Sequence, residues 1–442
     1  MIGRKQVLNI VRIVVSVGLI VWVCTKIRFN DALIDAEGHR WSGRLTADGR
    51  GPDHFALETS REGTVHLDRE QLKHDDAGRL VGVERGVLTV FGDIDLAWAI
   101  PTFLWAGLVP TIGSLRFRLL LAVQGVRVTV ARAMSLTFLG YFFNNFMLGL
   151  TGGDVIKAYY VAKETHKKTE AVVTVFLDRI VGLIALAALA AVVILLNVRD
   201  TLLRQAAVFV WIFLTMACFM VLMLYSRRLR RKVHVTIAAT ATVGGGLLIG
   251  TRLWTRGFDA VQQEVVLFVS IMTVVWVVAL VRPLRHLMQL HKVRMRLANS
   301  RIVREMDHAF HVFARQPASW SAAFGISIFC HFVTLATVFG FARSLGINTE
   351  FHYFLVFVPV INIIAAMPVS LAGWGLQETV YVMFFGPVGV SATEAITLSL
   401  VYRVCAAVLW SLPGGVVLMR RTDRASVEEV ARAMTGDEET FA

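Results

Sequence analysis

Charge is scarce in this chain: Asp, Glu, Lys and Arg make up 17% of its 442 residues, against 56% hydrophobic residues and a mean hydropathy of +0.62. One water-soluble core could not hide that much apolar sequence, so the balance excludes a soluble globular protein and reads as an all-α polytopic membrane protein. Cysteine is scarce too. Cys24, Cys218, Cys330 and Cys405 stand singly in or beside apolar runs, without the paired spacing of a zinc site or a disulfide framework. His308 and His311 lack a carboxylate or cysteine pattern that would specify a metal, and neither a metal nor a cofactor is expected. A His-bearing phosphatase signature and an aspartate-rich diphosphate motif are both missing, so the expectation is a protein that is not an enzyme. The net charge of +13 does not point to nucleic acid, because Lys and Arg sit in short clusters between apolar runs, the positive-inside pattern.

What is present divides the chain into four parts. Residues 1–28 hold Arg4, Lys5 and Arg12 around the apolar run Ile13 to Val23, a signal-anchor first span. Residues 29–95 carry short alternating runs such as His54-Phe55-Ala56-Leu57-Glu58-Thr59, punctuated by Asp48-Gly49, Gly51-Pro52 and Glu62-Gly63. They predict a small antiparallel β domain, with an SH3-like barrel as one form, outside the cytoplasm. With 14 acids and 8 bases its net charge is −6, so electrostatic binding to anionic headgroups is not expected. Its simplest role is a spacer or a docking point for an envelope partner protein. Residues 96–420 form the main transmembrane domain, and 421–442 a cytoplasmic tail.

Within 96–420, spans are predicted at Leu96 to Gly113 (ending inside at Arg116 and Arg118), Ala171 to Leu196, Leu203 to Tyr225, Thr236 to Thr251, Val265 to Val281, Trp320 to Ser344 and Ala392 to Leu418. With the first span they make eight, and both termini are cytoplasmic. A cationic amphipathic stretch from Arg285 to Ala314 is expected along the inner surface.

Two apolar runs are interrupted. Thr151-Gly152-Gly153-Asp154-Val155-Ile156-Lys157 breaks the run that begins at Met134, and Pro368 to Gly375 followed by Glu378 breaks the run from Phe351. Such interruptions inside a bilayer are tolerated only against protein or a wet cavity, which predicts two re-entrant helical hairpins; the alternative is an ordinary loop with Asp154 capping the next helix. The lysines at 163, 167 and 168 favour re-entry, since a single crossing would leave them outside. Each interruption pairs asparagine (Asn144, Asn145; Asn362) with a small-residue break and an acid. An arginine follows the acid by 25 residues in both cases: Asp154 to Arg179, and Glu378 to Arg403. Hairpins entering from opposite faces in this way fit an inverted repeat, a plan that holds substrates near mid-membrane. Asp178 and Arg179 are adjacent and so point to different sides of their helix, which sends each to a partner elsewhere in the bundle. The candidate substrate-binding residues are Asn144, Asn145, Asp154, Lys157, Asp178, Arg179, Glu378 and Arg403. The cations suit a phosphate; the acids orient them, engage an amine or carry protons.

The runs Phe138-Leu139-Gly140-Tyr141-Phe142-Phe143-Asn144-Asn145-Phe146, Gly152-Gly153-Asp154-Val155-Ile156-Lys157-Ala158-Tyr159, Leu177-Asp178-Arg179-Ile180-Val181-Gly182-Leu183, Pro368 to Glu378 and Tyr402-Arg403 resemble the membrane domain of the lysylphosphatidylglycerol synthase and flippase family. The resemblance covers roughly Leu96 to Leu418. It implies translocation of a membrane phospholipid or lipid-linked substrate with an anionic headgroup. A non-catalytic subunit or scaffold of an envelope-biogenesis assembly is the alternative. Three departures bear on this. No soluble aminoacyl-transferase domain follows Arg424, so synthase activity is not expected. Lys157 stands where family members commonly carry arginine, and the 29–95 insert has no counterpart in the bare family domain.

Overall fold

The computed structural model describes residues 4–46, 54–59, 63–74, 80, 82–146, 152–197, 200, 316–365 and 373–420, with isolated positions at 202–203, 206, 210, 213–214 and 312. The predicted spans between Leu203 and Val281, the surface stretch before Ala314 and the tail after Arg420 lie outside these residues or reach them only at isolated positions. Four helices among the described residues are long and apolar enough to cross a membrane: Leu96–Val123, Glu170–Leu196, Ala318–Ser344 and Ala392–Met419. Apolar side chains exposed on them, such as Leu104, Val192, Phe329 and Val416, are the surface a bilayer would cover. The chain is a multi-pass membrane protein with a small antiparallel sheet near its N-terminus.

The chain forms two compact units. The first comprises Met1–Pro110, Phe138–Gly153 and Phe332–Leu418. Helix α1 (Arg4–Lys26) leads into strands β1 (Asp31–Ile34), β2 (Arg40–Thr46), β3 (His54–Thr59), β4 (Gly63–Asp68) and β5 (Val83–Glu84). They pair antiparallel in the order β4-β3-β2-β1-β5, a meander whose last strand returns to the first and starts to roll the sheet. Leu33, Leu57 and Leu72 are fully buried at its centre, packed by Trp41, Leu45, Phe55, Leu67, Leu80 and Val83. The alternation read in the sequence thus faces one side of the sheet inward.

Asp31 ties the insert together. Its buried carboxylate accepts hydrogen bonds from the Gly86 N–H (2.6 Å), the Leu45 N–H (2.7 Å) and the Thr89 hydroxyl (2.8 Å). It thereby joins β1 to β2 and to the short helix α2 (Val87–Gly92). A hydrogen bond to a charged group contributes about 1.5–3 kcal/mol. Asp31→Ala is therefore expected to open the sheet, with faster hydrogen exchange in β1, β2 and α2, while Asp31→Asn keeps part of the protection.

After the insert come α3 (Leu96–Ala106) and α4 (Leu108–Val123). The predicted second span ended at Gly113, but helix continues to Val123, and its interruption falls earlier, at Gly107. There the Trp410 ring leaves no room for a Cβ on Gly107, and its indole N–H donates to the Phe103 carbonyl at 2.8 Å. Helix α5 (Val130–Phe146) and α6 (Gly152–Lys163) flank the first sequence interruption, followed by α7 (Lys168–Leu196) and α8 (Pro317–Ser344). Helices α9 (Phe351–Ala365) and α10 (Leu376–Phe385) flank the second. At 1.5 Å per residue α5, α6, α9 and α10 reach about 26, 18, 23 and 15 Å, each short of a hydrocarbon core roughly 30 Å thick. Helix α11 (Ala392–Tyr402) runs into a π-helical segment, Arg403–Val408, before α12 (Leu412–Arg420).

The second unit comprises Thr111–Thr137, Asp154–His331 and Met419–Ala442. Its described core joins Leu120 of α4 to Val173 and Leu177 of α7 and Ala323 of α8.

Candidate functional site

In the second unit α7 brings Asp178 and Arg179 to opposite tasks, as adjacent positions on a helix require. Asp178 faces α4. Its Oδ1 accepts from Arg116 Nε at 2.7 Å, and its Oδ2 lies 3.6 Å from Lys157 Nζ on α6. Arg116 also donates from Nη1 to the Ser327 hydroxyl of α8 at 3.0 Å. Gly182 leaves space for that guanidinium: a Cβ there would stand 3.1 Å from Nη1. The Lys157 ammonium sits 3.4 Å from the centre of the Phe117 ring, so it is held between an aromatic face and a carboxylate. His331 Nε2 meets the Gly182 carbonyl at 2.8 Å and fastens α8 to α7. Arg179 pairs with Asp154 in the first turn of α6. Among the described residues, Asp178 thus meets Arg116 and Lys157, and Asp154 meets Arg179, with Lys157 and Asp178 buried.

Asp154 lies in the first turn of α6. One donor freed at the start of α6, the Gly153 N–H, is accepted by Asn144 Oδ1 at 3.0 Å, while the Asp154 carboxylate goes to Arg179. Gly153 is required for this crossing, because a Cβ would collide with the Gly140 carbonyl and the Asn144 amide. Gly153→Ala is expected to force α5 and α6 apart, costing about 1–3 kcal/mol by overpacking and lowering the melting temperature in detergent. Asn145 donates to the carbonyls of Tyr141 at 3.0 Å and of Ala407, in the π-helical segment, at 3.2 Å. Both asparagines thus serve the backbone of broken helices.

The first unit holds the second pair. Glu378, 1% exposed, accepts the Gly375 N–H at 2.8 Å through Oε2, capping α10, and pairs with Arg403 Nη2 at 3.0 Å through Oε1. Arg403 also donates to Gln377 Oε1 (2.8 Å) and to the Gly373 carbonyl (3.2 Å), and the Trp374 ring lies 4.4 Å from its guanidinium carbon. Gly373 and Gly375 have φ of +74° and +77°, which only glycine adopts without strain. Leu19 and Ile20 of α1 crowd Gly375 so closely that a Cβ would not fit. The equal 25-residue separations therefore correspond to ion pairs in both cases, Asp154 with Arg179 and Glu378 with Arg403.

Sequence reasoning missed Arg116 as a site residue, treating it with Arg118 as a marker of the inner surface. Two residues apart on a helix, the two point to nearly opposite sides. Arg118 bonds the Val128 carbonyl at 3.1 Å and is exposed, whereas Arg116 turns inward.

No curated protein and no solved structure matches the chain. The family model described as the lysylphosphatidylglycerol synthase TM region matches residues 85–414 and so takes in both charge groups, both interruptions and the end of the β insert. On a match spanning most of its length, the chain belongs to the lysylphosphatidylglycerol synthase TM-region family, whose name ties it to lipid handling in the membrane.

Proposed function

We propose that this protein translocates a lipid or lipid-linked molecule with an anionic headgroup across the cell membrane, as a carrier and not as a catalyst. The observation that supports this reading most is the set of three cationic side chains, Arg116, Lys157 and Arg179, held by Asp178 and Asp154 on helices of the membrane domain. A cation in hydrocarbon is costly and is kept where it meets an opposite charge. Guanidinium and ammonium donors suit the oxygens of a phosphodiester, so an anionic headgroup can exchange with Asp154 and Asp178 for these cations. Glu378 and Arg403, buried and in contact, act in this reading as a lock that holds the second break in shape.

The test is reconstitution into liposomes with fluorescent lipids of anionic, zwitterionic and neutral headgroup, following transbilayer movement. Faster movement of the anionic lipid than in protein-free vesicles is expected. Movement at the protein-free rate for every headgroup, from folded protein, would favour the non-catalytic subunit instead. The same reading has α5 and α6 as a re-entrant pair, with Lys167 and both termini in the cytoplasm. A cysteine at Lys167 is then labelled from the cytoplasmic side only; labelling from outside would make the pair a single crossing.

A further inference from the structure

The short helix α2 exposes apolar side chains where none is expected on a domain in water. Its Val90 is fully buried and α2 packs against α11, yet Leu88 and Phe91, three residues apart and on one face, are 68% and 47% exposed. Phe29 is 67% exposed. The chain holds these residues together, since the Val87 N–H donates to the Arg28 carbonyl at 2.8 Å and Gly86 is pressed on the backbone of Phe29 and Asn30 without room for a Cβ.

Their position says what covers them. α1 ends at Lys26, three residues before Phe29, with Val17, Val21 and Trp22 exposed along it. α3 begins at Leu96, five residues after Phe91, with Leu96, Trp98 and Ile100 exposed. The patch thus continues the lipid-facing surface of two membrane helices at the end where both meet the insert. That end is fixed to the first unit: the Asp95 N–H donates to the Ser344 carbonyl (2.9 Å), Arg85 to the Leu345 carbonyl (3.1 Å), and the Arg28 N–H to the Thr393 hydroxyl (3.2 Å). Of the flanking arginines, Arg28 shares Glu84 (3.8 Å) with Arg40, and Arg85 pairs with Asp93 at 3.0 Å. Adhesion here rests on the apolar side chains, in keeping with the acidic balance of the insert. A stable protein interface buries at least roughly 500 Å² on each partner, and Phe29, Leu88 and Phe91, 67%, 68% and 47% exposed, offer only about 300–450 Å² between them.

We infer that Phe29, Leu88 and Phe91 form an interfacial anchor, by which the β insert dips into the headgroup and acyl boundary of the leaflet at the shared end of α1 and α3. The anchor keeps the insert against the bilayer surface and does not depend on what the protein transports. The test uses full-length protein in lipid nanodiscs, with Leu88→Cys, Phe91→Cys and, on the exposed strand β4, Thr64→Cys. Each carries an environment-sensitive fluorophore, and labelling of the native cysteines is subtracted with the parent protein. All three positions are exposed, so folding is expected to survive and is checked by gel filtration. At Leu88 and Phe91 a blue-shifted emission, quenching by lipids with a nitroxide near the headgroup and protection from aqueous iodide are expected, with the reverse at Thr64. Iodide quenching at Leu88 and Phe91 equal to that at Thr64 would overturn the inference. So would protection from both quenchers, which would mean that protein covers the patch.

Discussion

Replacing Arg116 by alanine is expected to destabilise the second unit by about 3–5 kcal/mol, the range for removing one member of a buried ion pair. Both side chains of the pair with Asp178 are only 12% exposed, so solvent does little to screen the loss. The remaining cation, Lys157 at 3.6 Å, gives Asp178 a charge but no close hydrogen bond, and Ser327 loses its guanidinium donor. Arg116→Lys should recover part of the loss, since it keeps the charge without the fork that reaches Asp178 and Ser327 together. The double variant Arg116→Ala with Asp178→Ala should be less damaged than the sum of the single changes, because the orphaned carboxylate is the main cost. Thermal unfolding in detergent reads all of these. Additive effects would mean that the pair is not coupled as its geometry requires.

Glu378→Ala should be as costly to the first unit, about 3–5 kcal/mol on the same grounds. Besides accepting from the Ser399 hydroxyl at 3.4 Å, the carboxylate does two things that substitution can separate: it caps α10 through the Gly375 N–H, and it pairs with Arg403. Glu378→Gln keeps an acceptor for the cap and loses the charge. A glutamine variant as unstable as alanine would assign the cost to the uncompensated guanidinium; one close to wild type would assign it to the cap. The ion pair is 3.0 Å long with Arg403 and Glu378 side chains 8% and 2% exposed, so the first outcome is expected.

Much of this arrangement was legible in the sequence. The matched acids and arginines were visible because ionised residues are rare in apolar runs, and each pair proves to be in contact. The adjacency of Asp178 and Arg179 sent them to different partners, as helix geometry dictates. What stayed hidden depended on tertiary context. Arg116 belongs to the site because α4 presents it to α7, and an arginine just beyond the predicted end of a span, beside Arg118, carries no mark of that. Asn144 and Asn145 stood out as polar residues beside a break, but nothing local told a ligand contact from a backbone cap. The π-helical segment at Arg403–Val408 contains neither glycine nor proline, the usual signs of an irregular helix, and its altered hydrogen bonding shows only in the fold.

The most direct measurement is the rate at which reconstituted protein moves an anionic fluorescent lipid, compared between wild type, Arg179→Lys and Arg179→Ala. Arg179 is the least buried of the three cations and so the one whose loss the fold best tolerates. With every variant monodisperse and inserted, the account predicts that Arg179→Ala loses anionic-lipid movement and that Arg179→Lys retains part of it. Movement at the wild-type rate by folded Arg179→Ala would contradict the account.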